Sequence, residues 1–311
     1  MRSLSCSAQE EIFIGSFADF SQQFPEKSKE CVTQQNNLVA QYVEDSTMES
    51  LVLYVPKNFH ATTPLIVHNK IPAHVANVTN KILIFVDDGA SVEIQELTQA
   101  VHGSAIVYKS IQCIIKDNAQ VKFIIEQSKA FSAQVFTNYN FYLYTYSTLF
   151  CTAGFRESAY TKAFLAVLLQ EKHTNATFKG GYLLRENEQI EITSHLQHVA
   201  ALGTSSLHLH GALFDSAKAK YNGTIEVAQT AHSTNTEQYN KNMLLSSGTQ
   251  AVSVPNLEVL PKQVQCRHGS AIGRFDKQML FYIYSRGLSS TQAEKLLLSA
   301  FFKQVNLRDF I

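Results

Sequence analysis

Two side chains two residues apart, Cys266 and His268, bring a thiol and an imidazole to the place where a long β pattern gives way to helix. On a strand, period-two alternation sets both on one face, roughly 6.5–7 Å apart along the chain. That spacing suits two ligands converging on one metal better than a direct thiol–imidazole hydrogen bond. Ordinary packing of a small, apolar thiol is the competing reading. A second group of histidines lies upstream at His195, His198, His208, His210 and His232. His208 and His210 have the i, i+2 spacing at which one strand face holds a metal, with His195 or His198 supplied from a neighbouring strand. This alternative is a stand-alone metal-dependent β-fold enzyme, cupin-like in architecture. Against it, no Asp or Glu stands at a matching position, and alternate residues of a strand also face solvent, so the structural reading of these histidines is preferred.

The chain of 311 residues carries five cysteines, Cys6, Cys31, Cys113, Cys151 and Cys266. They are odd in number and scattered, which describes neither a disulfide framework nor a zinc ribbon. Nor is there the clustered run from which one polypeptide builds a four-thiolate iron–sulfur site. Lys+Arg and Asp+Glu both count 26, so no global basic field favours nucleic acid or an anionic membrane. The first residues lack the apolar stretch of a secretory signal and turn acidic at Glu10-Glu11, and no apolar run reaches membrane-span length. These features lead to the expectation of a soluble, cytoplasmic protein with no membrane or nucleic-acid partner. No Gly-x-x-x-x-Gly-Lys-[Ser/Thr] loop occurs, so no nucleotide is expected to be bound by this chain.

The positioning elements divide the chain into three expected regions. Residues 1–60 read as a helical lead-in, with helix-like spacing at Phe13, Phe17 and Phe20 and a stop at Pro25. Residues 61–275 read as β throughout, rich in Val, Ile, Phe, Tyr and Thr. A repeat of the form x-small-x-apolar begins at Gly89, Asn118, Tyr146, Asn175 and Thr204, with starts 28 or 29 residues apart. A fixed period of that length with two strands per unit predicts a solenoid, here a right-handed parallel β-helix. Gln238, Asn240 and Asn242 fall on one strand face, where amides can pair with amides on adjacent coils. Residues 276–311 read as a C-terminal helical cap. Asp276 is the expected N-cap of its first helix, with Gly287 at C′. Thr291 and Glu294 have capping-box spacing ahead of an apolar stripe at Ala293, Leu296, Leu297, Ala300 and Phe301. This end serves either to cover the open end of the solenoid or to dock a partner.

Four blocks in fixed order carry a family resemblance: Gln238 to Ser246, Pro255 to Val259, Cys266 to Gly273, and Leu280-Phe281-Tyr282 with Ser285-Arg286-Gly287. Together they resemble the SufB/SufD family of iron–sulfur cluster assembly proteins, and the Cys-x-His-Gly form at 266–269 looks like the SufD branch. The resemblance implies a non-enzymatic scaffold subunit that pairs with a SufB-like paralogue through the terminal β-helix coils. It also implies docking of a SufC-like ABC-type ATPase on the C-terminal helices, and leaves room for a homodimer when the chain is alone. His268 falls on the family's functional histidine, which works with a cysteine of the SufB partner at the subunit interface. Cys266 occupies the accompanying cysteine position. The implied cofactor is iron or an iron–sulfur cluster, transient and shared with the partner, with His268 as the metal ligand. The chain is shorter than many SufD proteins, mainly before the β-helix.

Overall fold

Strand propensity and alternation build nearly everything between Leu51 and Gly273 in the computed structural model, which describes residues 2–5, 12–31, 38–46, 50–71, 76–100, 105–128, 130–275 and 277–307. The chain opens with β1 (Arg2–Ser5), β2 (Phe13–Ser16), α1 (Phe17–Gln23), α2 (Pro25–Glu30) and α3 (Leu38–Ser46). The first coils then run through β3 (Leu51–Val55), β4 (Leu65–Ile71), β5 (Asn77–Val86), β6 (Ser91–Ala100), β7 (Ile106–Ile115) and β8 (Gln120–Ser128). The middle comprises β9 (Ala130–Leu143), β10 (Thr148–Arg156), β11 (Ser158–Leu169), β12 (Asn175–Leu184) and β13 (Gln189–His198). The last coils are β14 (Thr204–Leu213), β15 (Lys218–Val227), β16 (Asn235–Leu244), β17 (Gln250–Val259) and β18 (Gln265–Gly273), followed by α4 (Lys277–Ser285) and α5 (Ser290–Lys303).

Among the described residues the strands form two nine-stranded sheets, and from β3 onward successive strands alternate between them. One is ordered β1-β4-β6-β8-β10-β12-β14-β16-β18 and the other β17-β15-β13-β11-β9-β7-β5-β3-β2. Among the described residues every pairing is parallel except β1 with β4 and β2 with β3, so the molecule is a parallel β-helix of about seven turns. The expected solenoid is therefore present, and the jelly-roll alternative is excluded by the topology.

Stacking is fixed by one recurring corner. Gly89, Asn118, Tyr146, His173, Leu202 and Ser233 all adopt positive φ between 57° and 68° at the turn that leads from an odd-numbered to an even-numbered strand. Their amides link the coils: Gly89 N–H donates to Asp117 O at 2.8 Å, Asn118 to Thr145 O at 2.8 Å, and Leu202 to His232 O at 2.9 Å. The corner thus continues the coil-to-coil bonding of the strand ladders through the turn, satisfying a backbone group that would otherwise be orphaned.

The interior is a set of in-register columns. One runs Leu65, Ile94, Phe123, Cys151, Phe178, Leu207, and a second runs Val92, Val121, Leu149, Ala176. All of these are buried in a single apolar cluster. Within the first coils, Lys109 and Glu96 form a fully buried ion pair at 2.8 Å, with Thr98 accepting from Lys109, and Asn69 and Tyr139 donating to the carboxylate.

The helices pack on the flanks. Phe20 of α1 joins Tyr54, Leu83, Phe85, Ile114 and Leu168 on the outer face of the second sheet. Leu298 and Phe302 of α5, with Val305, lie against Ala212 and Phe214 beside the first sheet. The C-terminal helix therefore lies along the side of the coil, while β17 and β18 stay largely exposed.

Two local expectations are corrected. The Phe13–Phe24 segment is split: Phe13 belongs to β2 and the helix starts only at Phe17 behind a Ser16 N-cap, while its stop at Gln23 falls before Pro25 as expected, Pro25 then opening α2 at its first position. The capping box of α5 is formed by Ser289 and Gln292, not by Thr291 and Glu294, which lie inside the helix. Gly287 does take positive φ (87°) past α4, whereas the expected N-cap Asp276 lies outside the described residues.

Candidate functional site

Cys266 and His268 lie on β18, the final strand of the first sheet, where they pair in register with Thr236 and Gln238 of β16. Both of those partners are buried inward-facing residues, so the thiol and the imidazole point toward the axis of the coil. The sequence expectation of a shared face holds. Cys266 is half-buried and packs against the end of the apolar core, while His268 is exposed because no further coil covers it. Burial raises the Cys266 thiol pKa, which disfavours a free thiolate.

Beneath this pair the interior changes character. The column Leu65–Ile94–Phe123–Cys151–Phe178–Leu207 continues as Gln238 and ends in His268. The neighbouring column turns from Ala176 to Ser205, Thr236 and Cys266. Two further inward positions of β16 are Asn240 and Asn242, capped in register by Ser270 and Ile272. Asn242 Nδ2 donates to Asn240 Oδ1 at 2.7 Å, and the hydroxyl of Tyr182, two coils away, donates to Asn242 Oδ1. The amides therefore pair within their own strand and with a tyrosine, rather than with amides of the adjacent coils. Gln238 and Asn240, read from the sequence as structural amides pairing between coils, form the polar floor beneath β18 at His268 and Ser270; the Gln-x-Asn-x-Asn alternation was the signal that marked them.

The upstream histidines do not converge. His198 faces inward, with Nε2 2.8 Å from Ser205 Oγ, whereas His195, His208 and His210 occupy outward positions of β13 and β14. His195 pairs with Glu226 at 2.9 Å and His208 with Glu237 at 3.0 Å. These acidic partners stand on the next coil, where a scan along one strand does not find them. His210 donates from Nδ1 to the Phe301 carbonyl at 2.9 Å and stacks on that ring, anchoring α5. Among the described residues no group of three or more His, Cys, Asp or Glu side chains is arranged to hold a metal, and the fold is a parallel β-helix rather than a cupin-like jelly roll.

Burial pulls His198 and His210 down to about 4, keeping both neutral in the folded state. Between that value and the unfolded 6.5 the unfolded chain binds more protons, so stability present at neutral pH is lost as pH falls. Each histidine is expected to remove on the order of 2 kcal/mol by pH 5. Denaturant midpoints measured at pH 7 and pH 5 check this, and a His198→Gln/His210→Gln variant should show a flatter pH dependence.

No helix among the described residues is long and apolar enough to cross a membrane. The family model "SUF system FeS cluster assembly, SufBD core domain" matches residues 67–301, the whole β-helix from β4 onward together with α4 and most of α5. The chain is 27% identical over 270 residues to the iron–sulfur cluster assembly protein SufD of Bacillus subtilis, covering 81% of this chain and 59% of that protein. It is 32% identical over 127 residues to the SufD of Escherichia coli, covering 40% of this chain and 30% of that protein. The chain thus spans less than two thirds of the length of either relative. With the match extending over most of its length, the chain belongs to the SufB/SufD family of iron–sulfur cluster assembly proteins and resembles its SufD members.

Proposed function

We propose that the chain acts as the SufD-like half of an iron–sulfur cluster assembly scaffold, paired with a SufB-like subunit and a SufC-like ABC ATPase. The observation that carries this reading is the position of His268: inward-facing, on the last strand of its sheet, above a polar floor and uncovered. An imidazole so placed is half of a ligand set, open for another chain to complete. Neutral imidazole suits iron and can replace thiolate at one iron of a cluster. The cluster is cargo here, built between the subunits and passed on; Cys266 stands beside it in a secondary role.

Two surfaces support the partner assignment. The terminal coil exposes apolar side chains at Val252, Val254, Leu257 and Ile272, and β17 and β18 each end their sheet with an unpaired edge suited to a second β-helix. On α4, Met279, Phe281, Tyr282 and Tyr284 are all exposed, an apolar surface fit for the ATPase. ATP hydrolysis belongs to that partner, and this chain performs no reaction of its own.

The test is anaerobic assembly with the three subunits co-purified. His268→Ala is expected to lower cluster yield by tenfold or more while the complex stays intact by mass, in line with the loss of a metal ligand. Unchanged yield removes His268 from the mechanism, and failure of the three chains to co-purify removes the partner assignment.

A further inference from the structure

Gln238 is fully buried, yet among the described residues neither its Nε2 nor its Oε1 has a hydrogen-bond partner. Buried polar atoms without partners are rare enough that each requires a physical account. Its place in the fold supplies one. It sits in register directly below His268, about 4.8 Å away along the stack, in a column that is apolar at every earlier coil. The main chain opposite is shaped around it: a Cβ on Gly223 would lie 2.2 Å from Gln238 Nε2, so only glycine leaves room for the amide. Ser253, on the inward face of β17, adds another buried oxygen without a partner in the same terminal coils. A leucine at 238 would have continued the column and spared the desolvation of an amide.

We propose that Gln238 is the positioning residue for His268. Its carbonyl oxygen accepts the N–H of one imidazole nitrogen and so presents the other to iron. The argument rests on the functional reading above and on a general rule: a metal-bound histidine almost always donates its second ring N–H to an oxygen acceptor, which fixes both tautomer and orientation. Gln238 Oε1 is an unused buried acceptor on the residue paired in register with His268. In the open half-site the imidazole is solvated and the amide waits unpaired; completion of the site closes the bond.

The test uses the three-subunit complex with wild-type, Gln238→Met and His268→Ala chains, and Co(II) as the probe. Methionine keeps the volume and removes both polar atoms. Gln238→Met is expected to weaken Co(II) binding and cut cluster yield by about tenfold or more. Because it deletes an unsatisfied amide, the same change should leave the unfolding temperature of the chain unchanged or raise it by about 2–4 °C. That opposition of sign separates positioning from structure. A Gln238→Met chain that unfolds at lower temperature, or does not fold, shows an amide that supports the fold and overturns the proposal. Co(II) affinity within twofold of wild type overturns it as well. If His268→Ala binds Co(II) and assembles clusters normally, the functional reading itself falls; if His268→Ala fails while Gln238→Met is normal, only the role of Gln238 falls.

Discussion

Lys109→Met is expected to destabilise the fold by about 3–5 kcal/mol, the cost of leaving one member of a buried ion pair without its counter-charge. Both side chains are 1% exposed, and the ammonium lies 2.8 Å from Glu96 Oε1. Methionine preserves most of the volume, so the loss reports charge rather than a cavity. Asn69, Thr98 and Tyr139 still donate to the carboxylate, which softens the effect without replacing the positive charge. Adding Glu96→Leu should recover only part of the loss, because those donors then have no acceptor. Chemical denaturation of the two variants checks both statements. A Lys109→Met protein within 1 kcal/mol of wild type would mean that water reaches Glu96.

Gly211→Ala is expected to cost about 3 kcal/mol, near the top of the range for overpacked interiors. Its Cβ would lie 2.0 Å from Tyr182 Cε2, 2.4 Å from Cζ and 2.6 Å from Asn242 Oδ1. The tyrosine ring is 1% exposed and tied to Asn242 by its hydroxyl, so it has no free direction in which to move. Tyr182→Leu in the Gly211→Ala background should restore part of the loss. A double-mutant cycle on denaturation midpoints then measures a coupling of on the order of 1 kcal/mol or more. Additive effects would show that the ring relaxes elsewhere.

Much of this architecture was legible because the side-chain period of a strand is two. Cys266 and His268 share a face for that reason alone, and the repeat of small and apolar residues marked the coils. The same period hid an error of register. The residues with positive φ are Gly89, Asn118 and Tyr146, the first positions of three repeats, then His173 and Leu202, each two residues before the repeat starts at Asn175 and Thr204. A slip of two preserves which residues face inward, so the pattern still matched while the corner moved. The acidic partners of the histidines stayed hidden for a related reason. Glu226 and Glu237 are about thirty positions from His195 and His208 in sequence but one coil away in space, a proximity set by stacking. At the ends of helices, two caps of equal chemical quality, Ser289 and Thr291, could only be told apart by where packing of Leu298 and Phe302 fixes the helix start. The polar floor under His268 was visible as residues but not as a site, because only the column beneath it reveals that leucine gives way to glutamine.

The corner ladder has a mechanical consequence. The strand ladders join each coil to its immediate neighbours, so resistance to opening is largely a sum over junctions, and a terminal coil has one junction where an inner coil has two. The coil formed by β17 and β18 is therefore the first to fray, and its amides should exchange with deuterium faster than those of β10 to β13. His268 rides on that loosest turn. Contact with another chain along the open edge would supply the missing junction, so slowed exchange in β18 would record the closing of the site without any chemistry having taken place.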